Sequence, residues 1–391
     1  MKILIMPDSF KGSLSAIDVA RSIENGIKKV NADTETVVIP MADGGEGTLQ
    51  ALVNATNGEI VKAAVLDPLG REINGYYGIM GDGSTAVIEI AIASGLPLLK
   101  EEEMDALNAS TFGTGQLIMH ALKNGATSFI ICLGGSATND GGTGILKALG
   151  YKFLDHEGKE LNEGGLSLRD LAFIDESDVS PLVKQAKFRI ACDVNNPFVG
   201  SNGASYIFGP QKGATPDQIV QLDQSLQVFA DVIYKQKGKR IHNLKGAGAA
   251  GGTAGGLISL LNAELQQGVE LVMEALKLQE LVENGKFDFV LTGEGKLDYQ
   301  TGYGKVIAGV TKLCNPSDIP VIALCGQIDA EGSMINEVGL TAAFSITNGP
   351  MSLGEAMFNT KKLLELSGEQ IFRLFLAGSL NNKNIHSKHI T

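Results

Sequence analysis

The sequence predicts an α/β protein in which a split flavodoxin-like, Rossmann-like parallel sheet carries a second α/β domain of mixed sheet inserted into it. Two observations carry this expectation. Short apolar runs alternate with amphipathic stretches through the first 57 residues, and the same rhythm returns only after residue 285; that alternation is the signature of βαβ units. Residues 58–284 lack the rhythm and include runs of alternating apolar and polar residues, which suit antiparallel or mixed strands. A chain of 391 residues also exceeds one ordinary core, so two domains are expected.

In order, residues 2–6 read as a first strand, followed by a helix over about 15–30, a strand at 36–39 and a helix over about 46–55. After the insertion come strands at 287–292, 321–325 and 342–346, with helices at about 301–313, near 333–338 and at about 353–376. Two strands and three strands, all parallel, would close one sheet. Within the insertion, strands are expected at 73–79, 85–92, 129–133 and 188–192, and helices at about 113–123, 142–149, 217–235 and 255–278. The expected domains are therefore 1–57 with 285–380, and 58–284, followed by a polar tail at 381–391.

The bulk numbers exclude several functions. A net charge of −12, a pI near 5.0 and no cluster of Lys and Arg would repel a nucleic-acid backbone or an anionic membrane surface. No segment reaches the roughly 18 apolar residues of a membrane span. Cys132, Cys192, Cys314 and Cys325 are far apart with no CxxC pair, so they read as reduced core thiols of a cytoplasmic protein.

Ligands of parallel sheets gather where strands end. The post-strand loops here are PDSFKGS (7–13), MADGGEG (41–47), TGEGKLDYQTGYGK (292–305), CGQID (325–329) and TNGP (347–350). Lys11 and Lys296 each sit beside a glycine in such a loop, as suits a cation held against a phosphate while backbone N–H groups do the rest. Asp43, Glu46, Glu294 and Asp298 flank the same loops. They could cap helices, which fits Glu46, or hold magnesium, which needs only one or two carboxylates beside phosphate oxygens and water. In the insertion, the loop GGSATNDGG offers Gly134, Gly135, Ser136, Thr138, Asn139 and Asp140. Asp193 ends an apolar strand and enters a loop containing Asn195; it is either a general base or an Asx-turn residue. Glu89, in an otherwise apolar run, is expected on the solvent face of an edge strand, the alternative being a buried carboxylate paired to a lysine.

Familiar motifs are missing. There is no GxxxxGK[ST], no GxSxG and no HExxH, which argues against P-loop, Ser-His and zinc chemistry. GAGAAG at 246–251 fits GxGxxG, but the residues before it make a poor strand, so the match reads as chance or as a generic helix start.

PDSFKGSLSA at the N-terminus, PMADGGEGT (40–48), TFGTGQLI (111–118), LGGSATNDGGTG (133–144), ACDVNNPFVG (191–200), FGPQKGA (208–214), GAGAAGGTAGG (246–256) and TGEGKLDYQT (292–301) together resemble the bacterial glycerate kinase family of the non-P-loop kind. The resemblance implies phosphorylation of D-glycerate by ATP with magnesium, at the 2-hydroxyl for this class, and two α/β domains. Phosphoryl transfer asks for positioning and neutralised charge rather than covalent chemistry. On that reading Lys11 and Lys296 hold phosphates, Glu294 or Asp298 holds magnesium, and Asp193 or Asp298 accepts the hydroxyl proton. Lys11, Ser13 or the amides of 134–141 receive the glycerate carboxylate, and Asp43, Asn195 and Lys212 complete the set. The site is expected in the cleft between the domains, and the chain is compatible with a homodimer. Two other readings stand beside it: an NAD-dependent hydroxy-acid oxidoreductase, resting on GAGAAG, and a non-catalytic small-acid binding protein.

Overall fold

The structure, a computed structural model, describes residues 1–297, 306–329, 335 and 337–387. It divides into two compact units, Met1–Asp43 with Val272–Thr391, and Gly44–Leu271. The described strands in chain order are β1 (Lys2–Pro7), β2 (Glu35–Val38), β3 (Glu59–Leu66), β4 (Glu72–Ile79), β5 (Thr85–Glu89), β6 (Ser128–Cys132), β7 (Lys152–Leu154), β8 (Phe173–Asp175), β9 (Lys187–Ala191), β10 (Glu264–Gln266), β11 (Phe289–Leu297), β12 (Val321–Ile328) and β13 (Ala342–Ser345).

The first unit holds a five-stranded sheet in the order β13-β12-β11-β1-β2, parallel throughout. Ile3, Leu4, Ile5, Phe289, Val290 and Leu291 are fully buried, as the central strands of a sheet covered on both faces must be. Helix Ala16–Val30 begins where Ser15 Oγ accepts from the Asp18 amide, and it carries Asp18 in its first turn and Lys28 and Lys29 in its last, charges that match its dipole. Its apolar face, Val19, Ile23 and Ile27, packs with Leu364 and Phe372 of helix Leu353–Ser387 into one core with Ile3, Ile5 and Leu324.

The second unit holds a mixed six-stranded sheet, β10-β9-β6-β5-β4-β3, with β3, β4 and β5 antiparallel in succession and the remaining pairs parallel. Helices Phe112–Lys123, Thr143–Ala148, Pro216–Lys237 and Thr253–Leu260 contribute to a core that includes Leu117, Phe129, Ile145, Phe198, Phe229 and Leu257. The longest of these is closed at both ends: Thr215 and Gln218 form a capping box before Pro216, and Gly238 leaves the last turn at φ 67°.

Several expectations are corrected. The helix expected over 255–278 is interrupted: Thr253–Leu260 ends before Asn262, whose φ is 54°. Glu264–Gln266 then pairs with Arg189–Ala191, and a new helix begins at Gly268. Pairing across the sheet here overrides a helical periodicity. The last helix runs to Ser387 rather than stopping before a tail; residues 379–387 contain no Gly or Pro to end it. The helix expected near 333–338 falls mostly outside the described residues. The unit boundaries lie at 43/44 and 271/272, where the change of sequence rhythm suggests 57/58 and 284/285. Helix Thr48–Thr56 sits with the second unit because its Leu49 and Val53 side chains pack against Gly78 of β4.

The two long helices of the first unit touch backbone to backbone. A Cβ on Gly26 would lie 2.0 Å from the Glu365 carbonyl oxygen, and one on Gly368 2.7 Å from that of Ile23. Gly26→Ala should gain about 1 kcal/mol of helix propensity and lose more by forcing the helices apart. The expected net is a destabilisation of about 2 kcal/mol, read from denaturant midpoints; an unchanged or raised midpoint would sink this account of the contact.

Candidate active site

The carboxyl ends of the first unit's strands open into a cavity of about 670 Å³. Each strand feeds it: Asp8 after β1, Asp43 after β2, Glu294 and Lys296 in the last turn of β11, Gln327 in β12 and Thr347 after β13. Register brings these groups together. Pro7 stands opposite Gly293, the Asp8 amide donates to the Gly293 carbonyl at 2.8 Å, and the Met41 amide donates to the Pro7 carbonyl at 2.9 Å. Three loops remote in sequence are thereby set side by side.

The electrostatics follow from that placement. Lys11 Nζ lies 3.5 Å from Asp43 Oδ2, and Asp43 is the main reason its ammonium is held above the ordinary lysine range. Lys296 Nζ pairs with Asp329 Oδ2 at 2.8 Å. Asp8 is pushed up to about 7, first by burial and then by the negative charge of Asp43, with Glu294 adding to it and Lys11 opposing. Sequence reading did not single out Asp8 or Asp329. The signal for Asp8 was present, a carboxylate placed directly after the proline that ends the first apolar strand. Asp298 lies outside the described residues. Ser13 is taken up structurally: its Oγ lies 2.8 Å from the Met357 carbonyl oxygen and 2.7 Å from Thr360 Oγ1.

The second unit's candidates are arranged differently. Gly134 and Gly135 are exposed, whereas Ser136, Thr138, Asn139 and Asp140 are buried. Asp140 Oδ2 accepts from Thr111 N, Thr111 Oγ1 and Gly144 N, and Oδ1 accepts from Gly142 N. It therefore pins the starts of helices Phe112–Lys123 and Thr143–Ala148 together. Burial pushes its carboxyl up against those donors. Asn139 donates to Ser205 Oγ at 3.0 Å, and among the described residues Thr138 Oγ1 and Asn139 Oδ1 meet no hydrogen-bond partner. The GAGAAG segment follows no strand. Its Gly251 carbonyl accepts from Gly141 N, and a Cβ there would lie 2.1 Å from the Thr138 carbonyl oxygen, so these glycines serve close packing against the 138–141 loop.

Lys212 is buried, with its Nζ 3.0 Å from Ser136 Oγ and 2.5 Å from the Thr138 carbonyl oxygen. Burial lowers it to about 7 despite the pull of Asp140; a neutral amine has two N–H donors for these two acceptors. Asp193 is exposed and its Oδ1 accepts from the Gly268 amide at 2.9 Å, at the first turn of helix Gly268–Ala275. Asn195 is exposed nearby in the same loop. The expectation for Glu89 is overturned: β5 lies inside the sheet, the side chain is buried, and its Oε1 accepts from the Leu49 amide at 2.9 Å. A carboxylate at the start of helix Thr48–Thr56 complements the helix dipole.

Lysines and carboxylates converging at the carboxyl ends of a parallel sheet, with glycine loops around them, define an α/β enzyme suited to small anionic ligands. Residues 3–376 match the Glycerate kinase family. The Bacillus subtilis glycerate kinase is 45% identical over 371 residues, covering 95% of this chain and 97% of that one. The Escherichia coli K12 glycerate 2-kinase is 47% identical, covering 91% and 93%. A crystal structure from Salmonella typhimurium LT2, described as a glycerate kinase 2, superposes with a TM-score of 0.88 at 41% identity over 97% of this chain and 99% of that one. The chain belongs to the glycerate kinase family and is a phosphotransferase. Among the described residues no helix is long and apolar enough to cross a membrane.

Lys212 supplies a test of the second unit's interior. Its folded value near 7 lies below the unfolded value of 10.5, so between those limits the unfolded chain binds the extra proton and stability rises with pH. Lys212→Met should remove that rise. Urea midpoints at about pH 7.5 and about pH 9.5 check it; an equal pH response in both proteins would contradict the placement of a neutral amine.

Proposed function

We propose that this enzyme transfers the γ-phosphoryl group of ATP to D-glycerate, at the 2-hydroxyl, giving 2-phosphoglycerate. The observation that carries the reading is the cavity in which Lys11 and Lys296 stand with Asp8, Asp43 and Glu294 at the ends of one parallel sheet. Phosphoryl transfer needs the donor held and its spread negative charge neutralised. Lys11, half an ion pair with Asp43 and otherwise exposed, and Lys296, paired with Asp329, are assigned to the phosphate oxygens.

Magnesium fits the same residues. Asp43 and Glu294 both raise Asp8, so negative charge accumulates at this edge and a divalent cation would stabilise it. Among the described residues no group of three or more His, Cys, Asp or Glu forms a ready cage, in keeping with an ion bound through one or two carboxylates and substrate phosphates. Glu294 and Asp43 would hold it, and it would neutralise charge on the phosphate oxygens. The proton of the 2-hydroxyl goes to Asp193, whose carboxylate is exposed, or to Asp8, which lines the cavity beside Lys11. The exposed amides of Gly134 and Gly135 are assigned to the glycerate carboxylate, and Lys212 holds the loop that carries them.

The test is ATP turnover with magnesium and D-glycerate, the product identified by phosphorus NMR. Appearance of 2-phosphoglycerate is expected; 3-phosphoglycerate would overturn the regiochemistry, and no glycerate-dependent turnover would overturn the substrate. Lys11→Ala and Glu294→Gln are each expected to lower kcat/KM by about 100-fold. Asp8→Asn and Asp193→Asn separate the two base assignments. The base is the one whose amide variant loses about 100-fold in kcat along with the matching limb of the pH profile; retention of both in both variants would remove the pair from the chemistry.

A further inference from the structure

The cavity of the first unit has two unlike kinds of lining. One is the set of lysines and carboxylates described above, at the ends of the strands. The other is the apolar part, Phe10 and Ile346 with Met351, Leu353, Ala356 and Met357 at the start of the last helix and just before it, none of which has a use for a phosphate or a three-carbon acid. We propose that this apolar part is the subsite for the purine base of the nucleotide; the assignment rests on the phosphotransfer reading and deepens it.

Size argues first. About 670 Å³ falls within the roughly 300–1,000 Å³ of clefts that enclose ligands much larger than glycerate. Charge argues second. The apolar part lies at the start of helix Leu353–Ser387, where free amides would ordinarily favour an anion. Here the Ser352 amide donates to Glu355 Oε2 at 2.8 Å and the Glu355 amide donates to Ser352 Oγ at 3.3 Å. That capping box places a carboxylate at the helix start, so this end repels phosphate and accepts a neutral ring. The triphosphate is thereby directed to the lysine end.

Rigidity argues third. Ser13, a short step along the chain from Phe10 and Lys11, is tied to Met357 and Thr360, which fixes the lysine-bearing loop to the apolar wall. A base and its phosphates need such a fixed separation between their two sites. Phe10 and Ile346 form the buried floor, and Leu353, 75% exposed, stands at the mouth. A ring entering there would cover a leucine that otherwise faces water, and removing that apolar area from water favours binding.

The experiment uses Ala356→Trp, which fills the wall, and Leu353→Glu, which adds charge at an exposed position where folding is not at stake. Two probes are titrated by calorimetry into the full-length protein, the non-hydrolysable ATP analogue AMP-PNP and inorganic tripolyphosphate. Each variant is expected to bind AMP-PNP about tenfold or more weakly and tripolyphosphate within about twofold of the parent. Unchanged AMP-PNP binding in Leu353→Glu, or equal loss for both probes, would overturn the subsite. A rise in KM for glycerate with none for ATP would also overturn it, by giving the pocket to the acid. If AMP-PNP binding falls as expected while the parent shows no glycerate-dependent ADP release, the subsite stands and the substrate reading fails.

Discussion

A single parallel register joins the two ends of the chain, and the first unit depends on it. β1 lies against β11, so that residues 3–7 pair with 289–293, and the Asp8 amide reaches the Gly293 carbonyl. The cavity's carboxylates owe their places to that register. Asp8 follows β1, Glu294 follows Gly293, and the hydrogen bond from Met41 to Pro7 brings Asp43 to the same edge. A slip of one residue would reverse the faces of a strand, exchanging Ile3 and Ile5 with Leu4 and Met6 between two packed faces and moving the carboxylates out of their shared register.

That edge concentrates unlike demands. Burial first, and then the charges of Asp43 and Glu294, raise Asp8 toward neutrality, and Lys11, 3.5 Å from Asp43, offsets only part of this. A purely stabilising design would have separated these carboxylates. The second unit treats its buried ionisable groups in the opposite way, since Asp140 is met by four donors and Lys212 by two acceptors. Hydrogen bonding of this kind stiffens the segment behind the exposed glycines at 134 and 135.

Much of this was legible in the sequence. The five parallel strands, their division around an insertion and the loops that end them followed from periodicity alone, because each strand is a short apolar run with a glycine-rich sequel. Lys11, Asp43, Glu294 and Lys296 stood out because each lies in a glycine-rich segment directly beyond such a run, although β11 extends through Glu294 and Lys296 to Leu297. Asp8 escaped because its neighbours could not be known until Asp43 and Glu294 were brought beside it. Glu89 was misplaced for a related reason: an acidic residue in an apolar strand looks like an edge, and only the helix beginning at Thr48 supplies the amide that accounts for it. The break at residues 261–267 was hidden because a short pairing with β9 outweighed the local helical pattern. In the loop 134–141 the residue types were read correctly as polar, but their sequence does not say that four of them turn inward.

The bond between Ser13 and the last helix carries a consequence for synthesis. During translation β1 and its loop leave the ribosome well before their partners: β1 lacks one neighbour until β11 emerges, and Ser13 has no anchor until Met357 and Thr360 appear. The N-terminal strand must therefore wait, with an unpaired edge, while residues 44–271 of the second unit are made. A chain released before β11 would lack this cavity, because Glu294, Gln327, Thr347 and Met357 all come from its later part.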